Sequence, residues 1–427
     1  MKTDKFLIII NTIWQLAEKA FRLCSALITG ILLARYLQPE LYGKYNYALV
    51  FVSFFLTVSS LGSNQICIRE LVQDPDANDE IVNSVLALRL FSGALFVFLS
   101  IGSSFYLLSD TTTRLLSLIF SISIFLRAFE SIELFFKARL EYKYITLPKS
   151  ISSGLFCCIV LSLVAAQKPV SMLAIASLGE YAFSLTIIAI LYVKKKGPLC
   201  PSFVSMLRIK SLLADGWPFI ISGLAITVYM KIDQLMIGTM VGSQELGLYS
   251  VAVQITEAFY LIPVAFVNSS FPSLIRAKNT DESQFYSNLQ DLYSRVSMMS
   301  YLSIVIVLIF SKNILLSLYG VTYGGAAPLL VLLIWSVLFV ALGTAQSAYM
   351  VSMNWNKMYL QMVLIASVIN IVLNYLLLPI FGALGAAVAT VFSQWVAMHG
   401  ACFLFDPLRK TRNMVTKSIF LQSNKRR

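Results

Sequence analysis

Eleven ionisable side chains fall inside stretches of this 427-residue sequence that are otherwise apolar enough to cross a bilayer. They are Lys19, Arg22, Arg89, Arg127 and Lys231, with Glu18, Glu130, Glu133, Glu180, Asp233 and Glu257. Each such group costs roughly 2.5–3.5 kcal/mol at the centre of a lipid-facing helix. Arginine and lysine in a dry setting need an acidic partner or an anionic ligand, and an isolated carboxyl group can trade protons with a gradient. Ion pairing, anion binding and ion coupling are therefore the chemistries open to this chain.

The spacing of these residues narrows the choice. At about 100° per residue, Asn11, Gln15, Glu18, Arg22, Ser25 and Thr29 share an arc of about 80°, so the first helix carries one polar stripe. Glu18 and Arg22 stand four apart and can pair. The stripe either fastens this helix to a neighbour or lines water. "RAFESIELFFK" repeats the theme with Arg127, Glu130, Glu133 and Lys137 at intervals of three, three and four, open to the same two readings. Arg89 has no charged neighbour in its segment and needs a partner or an anion. In "MKIDQLMIG", Lys231 and Asp233 point to different faces. Lys231 is a candidate cavity cation and Asp233 a candidate gating or interhelical partner. Glu257 is a candidate protonatable group or a hydrogen-bonded structural one.

Catalytic chemistry is poorly represented. There is no GxxxxGK[ST] phosphate loop, so no sign of an intrinsic ATPase. The single histidine, His399, lacks the companions of a metal or catalytic site, and no metal or cofactor is expected beyond a coupling H+ or Na+. Asp74–Asp76, "DPD", resembles a glycosyltransferase metal motif but sits in a short loop without an accompanying domain, and is read as a solvated acidic loop. The six cysteines have no paired spacing, and buried small hydrophobes are the better reading. The sequence has the parts of a carrier and not of an enzyme.

The elements that must position these residues are membrane helices. The chain is 58% hydrophobic and 13% charged, about half the charge of a soluble domain, with mean hydropathy +0.78. Twelve spans are expected, near 8–34, 45–66, 82–108, 115–136, 145–166, 170–193, 216–240, 247–271, 296–318, 326–352, 359–380 and 383–405. With both termini cytoplasmic, 23 basic residues fall inside and five outside, which sets the orientation. The net charge of +12 then follows from topology and not from a nucleic-acid partner.

"PELYGKYNYAL" at 39–49 matches "SQELGLYSVAV" at 243–253, aligning Gly43 with Gly247 and Tyr45 with Tyr249. Each follows the first span of a six-helix half, so the halves are parallel repeats. The expected layout is an all-α membrane protein with a six-helix lobe over 1–193, a basic cytoplasmic linker over 194–215, a second lobe over 216–405 and a basic cytoplasmic tail over 406–427, the lobes flanking a central cavity.

Order and spacing of "GILLARYLQPELYGKYNYAL", "SLGSNQICIREL", "MKIDQLMIGTMVGSQELGLYSVAVQI", "PLLVLLIWSVLF" and "NYLLLPIFGALGAAVAT" resemble the O-antigen flippases called Wzx. These form the polysaccharide-transport branch of the MOP exporter superfamily, and the resemblance covers essentially the whole chain. It implies a flippase in the bacterial inner membrane that moves oligosaccharide repeat units on undecaprenyl pyrophosphate from the cytoplasmic to the outer leaflet. A polysaccharide polymerase and a chain-length regulator would be its partners. It also implies a cavity-facing basic residue in the first helix, for which Arg22 is the match, with Asn11, Gln15 and Glu18 beside it. Arg89, Arg127 and Lys231 are further cavity candidates, and Asp233, Glu257 and Glu130 are candidates for coupling or gating. The alternative on the same fold is an ion-coupled multidrug or small-molecule antiporter.

Overall fold

The first apolar stretch folds as α1, Lys2–Ser59, interrupted by non-helical backbone at Gln38. Proline at 39 cannot donate to the preceding turn and biases its predecessor away from helix, and Gln38 takes φ 59°. A straight helix of 58 residues would be about 87 Å long, nearly three hydrocarbon thicknesses, so the break divides α1 into two spans. The computed structural model describes residues 2–74, 76–197 and 204–422, with side chains from 14 onward except 16, 272, 273, 275, 276, 279 and 280. The chain divides into two compact units, Met1–Leu37 with Lys44–Thr227 and Gln38–Gly43 with Val228–Arg427.

In the first unit α1 is followed by α2 (Ser63–Gln73), α3 (Asn78–Leu107), α4 (Thr111–Leu126), α5 (Ser131–Ala138), α6 (Lys143–Ala165), α7 (Val170–Lys196) and the start of α8 (Met206–Met240). One continuous helix is expected over 115–136. Instead a 3-10 turn, Arg127–Glu130, separates α4 from α5. α8 begins ten residues ahead of the expected span at 216, because its first turns are pinned by charge. Arg208 meets Glu80 at 3.2 Å, Glu70 at 3.4 Å and Asp74 at 3.6 Å, and Arg69 meets Asp215 at 2.6 Å. The acidic loop is therefore a docking element for α8 and not merely solvated. Gly62 and Gly216 allow the close approach: a Cβ on Gly62 would lie 2.5 Å from the Gly216 carbonyl, and one on Gly216 would lie 2.6 Å from that of Leu61. Beside this junction Phe135, Phe136, Tyr192, Val85 and Ile188 form a closed apolar cluster, with Phe135 edge-on to Tyr192 at 5.1 Å.

In the second unit come α9 (Ser243–Thr280), α10 (Glu282–Leu318), α11 (Ala327–Leu333), α12 (Ser336–Ser352), α13 (Asn356–Phe381), α14 (Ala383–Met398) and α15 (Arg409–Ile419). The repeated glycines meet here: a Cβ on Gly43 would strike the Ser243 carbonyl, and one on Gly247 would strike that of Pro39. Each glycine thus faces the residue four positions before its repeat mate, a reciprocal backbone crossing that only small residues permit. The basic tail is partly a helix. α15 packs on α10, with Gln290 donating to Ser418 Oγ at 2.7 Å and Tyr301 to the Ile419 carbonyl at 2.6 Å.

Among the described residues nine helical stretches are long and apolar enough to cross a membrane, or ten with α11 and α12, bent by 42°, taken as one span. The first of these, Ala17–Gln73, contains the break at Gln38 and therefore holds two crossings, and α14 is a shorter apolar helix. A count near twelve follows, in an all-helical membrane protein.

Candidate functional site

One residue of the α1 polar stripe, Arg22, reaches a cavity of about 140 Å³ within the first unit, while Ser25 and Thr29 of the same stripe are buried in packing. Arg22 from α1, Glu130 from the 3-10 turn, Glu133 from α5, Lys149 from α6, and Glu180 and Tyr181 from α7 line it. Glu18 and Arg22 form the ion pair their spacing allows, at 3.2 Å, with 51% of the Arg22 side chain exposed and 11% of Glu18. Glu180 is hydrogen-bonded by Ser153 and lies within electrostatic reach of Arg22, so that guanidinium sees two carboxylates.

Deeper in the cavity the charges are closely matched. Glu133 is buried and takes ion pairs from Lys149 at 2.8 Å and Lys137 at 3.2 Å. Lys149, counted among the cytoplasmic basic residues by the charge pattern, projects from α6 into this cluster. Arg127 pairs with Glu130 at 3.8 Å, donates a hydrogen bond to the Tyr181 hydroxyl and lies 4.8 Å from that ring's centroid. Arg22 is the most exposed base of the group, and an arriving anion would compete with Glu18 for it.

The other sequence candidates lie elsewhere. Arg89 is buried and its guanidinium is held by Ser63 Oγ, at 2.9 and 2.7 Å, and by Asn64 Oδ1 at 2.7 Å. These neutral partners come from the start of α2. Gln15 is half-buried on α1 and does not line the cavity. The side chain of Asn11 lies outside the described residues.

In the second unit Asp233 is buried among neutral donors, taking hydrogen bonds from the Tyr249 hydroxyl, Thr390 Oγ1 at 2.9 Å and the Gln234 amide at 2.7 Å. On α13 and α14 Asn370 donates to Ser393 at 3.0 Å and Asn374 to Asn370 at 3.1 Å, while Asn374 Oδ1 and Gln394 Oε1 are buried acceptors without a hydrogen-bond partner among the described residues. Lys231, half-buried, lies within electrostatic reach of Glu257, which is exposed.

Sequence reasoning left Lys149, Glu180 and Tyr181 off the candidate residues for this site. Glu180 could have been found as an intramembrane acid without a base at helical spacing, a property it shares with Asp233 and Glu257; Tyr181 carried no comparable signal.

Comparison with known proteins follows the same lines. A Shigella flexneri protein assigned as an O-antigen transporter is 24% identical over 395 residues, covering 90% of this chain and 94% of its own length. A Haloferax volcanii protein assigned as the flippase AglR is 25% identical over 230 residues, 52% of this chain. This chain spans 45% of the length of that archaeal relative. Among solved structures, the lipid II flippase MurJ in an inward closed conformation superposes with TM-score 0.76 at 18% identity, covering 96% of this chain and 91% of MurJ. A multidrug-resistance MATE transporter of the MOP superfamily in an inward-facing conformation gives 0.74 at 14% identity, covering 93% and 96%. At these identities the likeness is one of fold. A sequence profile of the polysaccharide biosynthesis protein family matches residues 8–278, well over half of the sequence, and the chain belongs to that family.

Proposed function

We propose that this chain is a flippase for polyprenyl-pyrophosphate-linked oligosaccharide repeat units. It carries them by alternating access from the cytoplasmic to the outer leaflet of the inner membrane, for O-antigen or a related surface polysaccharide. The observation that carries the reading is Arg22, a half-exposed guanidinium on a polar cavity inside a membrane-spanning unit. Sugars and pyrophosphate cannot cross hydrocarbon unaided, and a cation that can exchange an internal carboxylate for an incoming phosphate suits such a head group. Family membership and the named relatives support the cargo class.

Exchange at Arg22 also offers a means of coupling. Protonation of Glu180 would loosen its hold on the guanidinium, and the buried acceptors Asn374 Oδ1 and Gln394 Oε1 offer oxygen ligands to Na+. Both termini lie in the cytoplasm in this scheme, and a polymerase with its chain-length regulator receives the product. The competing antiporter reading would favour unpaired acids for a cationic drug. Glu130 and Glu133 are instead committed to Arg127, Lys137 and Lys149.

Deletion of the gene tests the reading. Lipid-linked repeat units should accumulate on the cytoplasmic leaflet while surface glycan is lost. Unchanged glycan with altered dye resistance would sink it in favour of the antiporter.

A further inference from the structure

The same first unit carries a second, apolar cavity of about 510 Å³, walled by Leu126 and Phe129 on one side and by Ala182, Ala189 and Ile190 of α7 on the other. Leu126 closes α4, and Phe129 stands three residues later in the 3-10 turn, where side chains at this spacing eclipse and line one wall. On α7 the residues Ala182, Thr186, Ala189 and Val193 recur at helical spacing along one face, and the small side chains leave a furrow. From Ala182 to Val193 the furrow runs about 16 Å, half the hydrocarbon thickness, which is the depth of one leaflet.

Lys194 stands at its end. Of the three lysines that close α7, Lys195 pairs with Glu141 and Lys196 with Asp79, whereas Lys194 has no acidic partner among the described residues. A one-leaflet apolar furrow ending in an uncommitted ammonium matches a single hydrocarbon tail with a phosphate at its head. A two-tailed phospholipid matches it less well. The adjoining turn of α7, through Tyr181, Ser184 and Leu185, lines the polar cavity, so a tail seated here lies one helix away from Arg22.

We propose that this furrow holds the isoprenoid tail of the polyprenyl cargo in the leaflet where loading occurs, with Lys194 on the phosphate before it passes to Arg22. The inference rests on the flippase reading above. Filling the furrow with Ala182→Leu and Ala189→Leu, or reversing its charge with Lys194→Glu, tests it separately from transport. The purified protein is offered undecaprenyl phosphate and phosphatidylglycerol together, and the lipid retained is measured by native mass spectrometry.

Retention of undecaprenyl phosphate should fall about tenfold in either variant, with phosphatidylglycerol adducts unchanged. Lys194→Arg should restore it, and Lys195→Glu should leave it intact. Lys194→Glu changes an exposed side chain, so it remains informative if the double variant folds poorly. Undiminished retention in Lys194→Glu, or an equal loss of both lipids, overturns the furrow assignment. In that case a deletion strain that still loses surface glycan leaves the flippase reading standing. If the unaltered protein shows no preference for undecaprenyl phosphate and the deletion strain keeps its glycan, both fall.

Discussion

The two units handle intramembrane polarity in opposite ways. The first gathers Glu18, Glu130, Glu133 and Glu180 with Arg22, Arg127, Lys137 and Lys149 around one cavity and leaves Arg22 half-exposed. The second holds the single buried carboxylate of Asp233 with hydroxyl and amide donors, and extends it through asparagines and serines. A half-exposed base such as Arg22 can exchange its carboxylate for a competing anion, whereas a buried group loses its partner only at the cost of its own desolvation. The contrast teaches that charge alone does not mark a binding site in this fold. Under the proposed function, what marks it is charge that remains accessible, as at Arg22.

Substitutions can break or sharpen this contrast. The largest effect is expected at Glu133, where alanine strands two lysines. A loss of about 3 kcal/mol is expected in detergent unfolding, the low end for a broken buried pair, because both lysines are partly exposed. Asp233→Ala should follow at about 2 kcal/mol by leaving two hydroxyls and an amide unsatisfied, while Asp233→Asn, which keeps an acceptor, should lose less than half of that. If Asp233→Ala is as stable as the parent, the second unit is not held in the way described.

Asp110, outside the membrane spans, supplies a control at the rim of the first unit. It caps α4 through Thr113, with N–H and Oγ1 both donating at 2.7 Å, and pairs with Lys44 at 3.0 Å. Burial pushes its carboxyl up, but the Thr113 and Lys44 hydrogen bonds outweigh burial and hold it below the usual carboxylate range. A depressed folded value means its contribution is complete above the unfolded value near pH 4 and is lost as pH falls through the lower folded value. Asp110→Ala should cost about 1 kcal/mol at neutral pH and flatten that acid limb of the stability profile.

Arg22→Ala should have the smallest effect on stability, under about 1 kcal/mol, since the Arg22 side chain is half-exposed and water can replace part of what it gives Glu18. It should nevertheless reduce glycan export more than any other change in the group, with Arg22→Lys better tolerated. Equal export by both at equal protein levels would remove Arg22 from the site.

What the sequence made legible is what local spacing encodes. Glu18–Arg22 is an i,i+4 pair and forms as such, and the match of Gly43 with Gly247 is visible in the text of the chain. That those glycines meet each other's repeat is a tertiary fact that no periodicity carries. Arg89 looks unpartnered along its own helix because Ser63 and Asn64 approach from α2. The 3-10 turn at Arg127–Glu130 escaped notice because no proline or glycine announces it, yet it helps shape both cavities of the first unit. Lys149 was counted with the cytoplasmic charges, and its pairing with Glu133 from a neighbouring helix is a tertiary contact that charge counting does not carry. α15 was read only as a basic tail because its basic residues dominate its composition. Its buried stripe of Thr411, Val415 and Ser418 is short and only partly apolar.

The most direct test places the purified protein in vesicles with a lipid-linked repeat unit bearing an oxidisable sugar label. A membrane-impermeant oxidant then reports how much label faces outward. The account predicts that the inward-facing pool becomes accessible with the unaltered protein and remains protected with Arg22→Ala. Protection that persists with the unaltered protein, or exposure that is the same with Arg22→Ala, would contradict it.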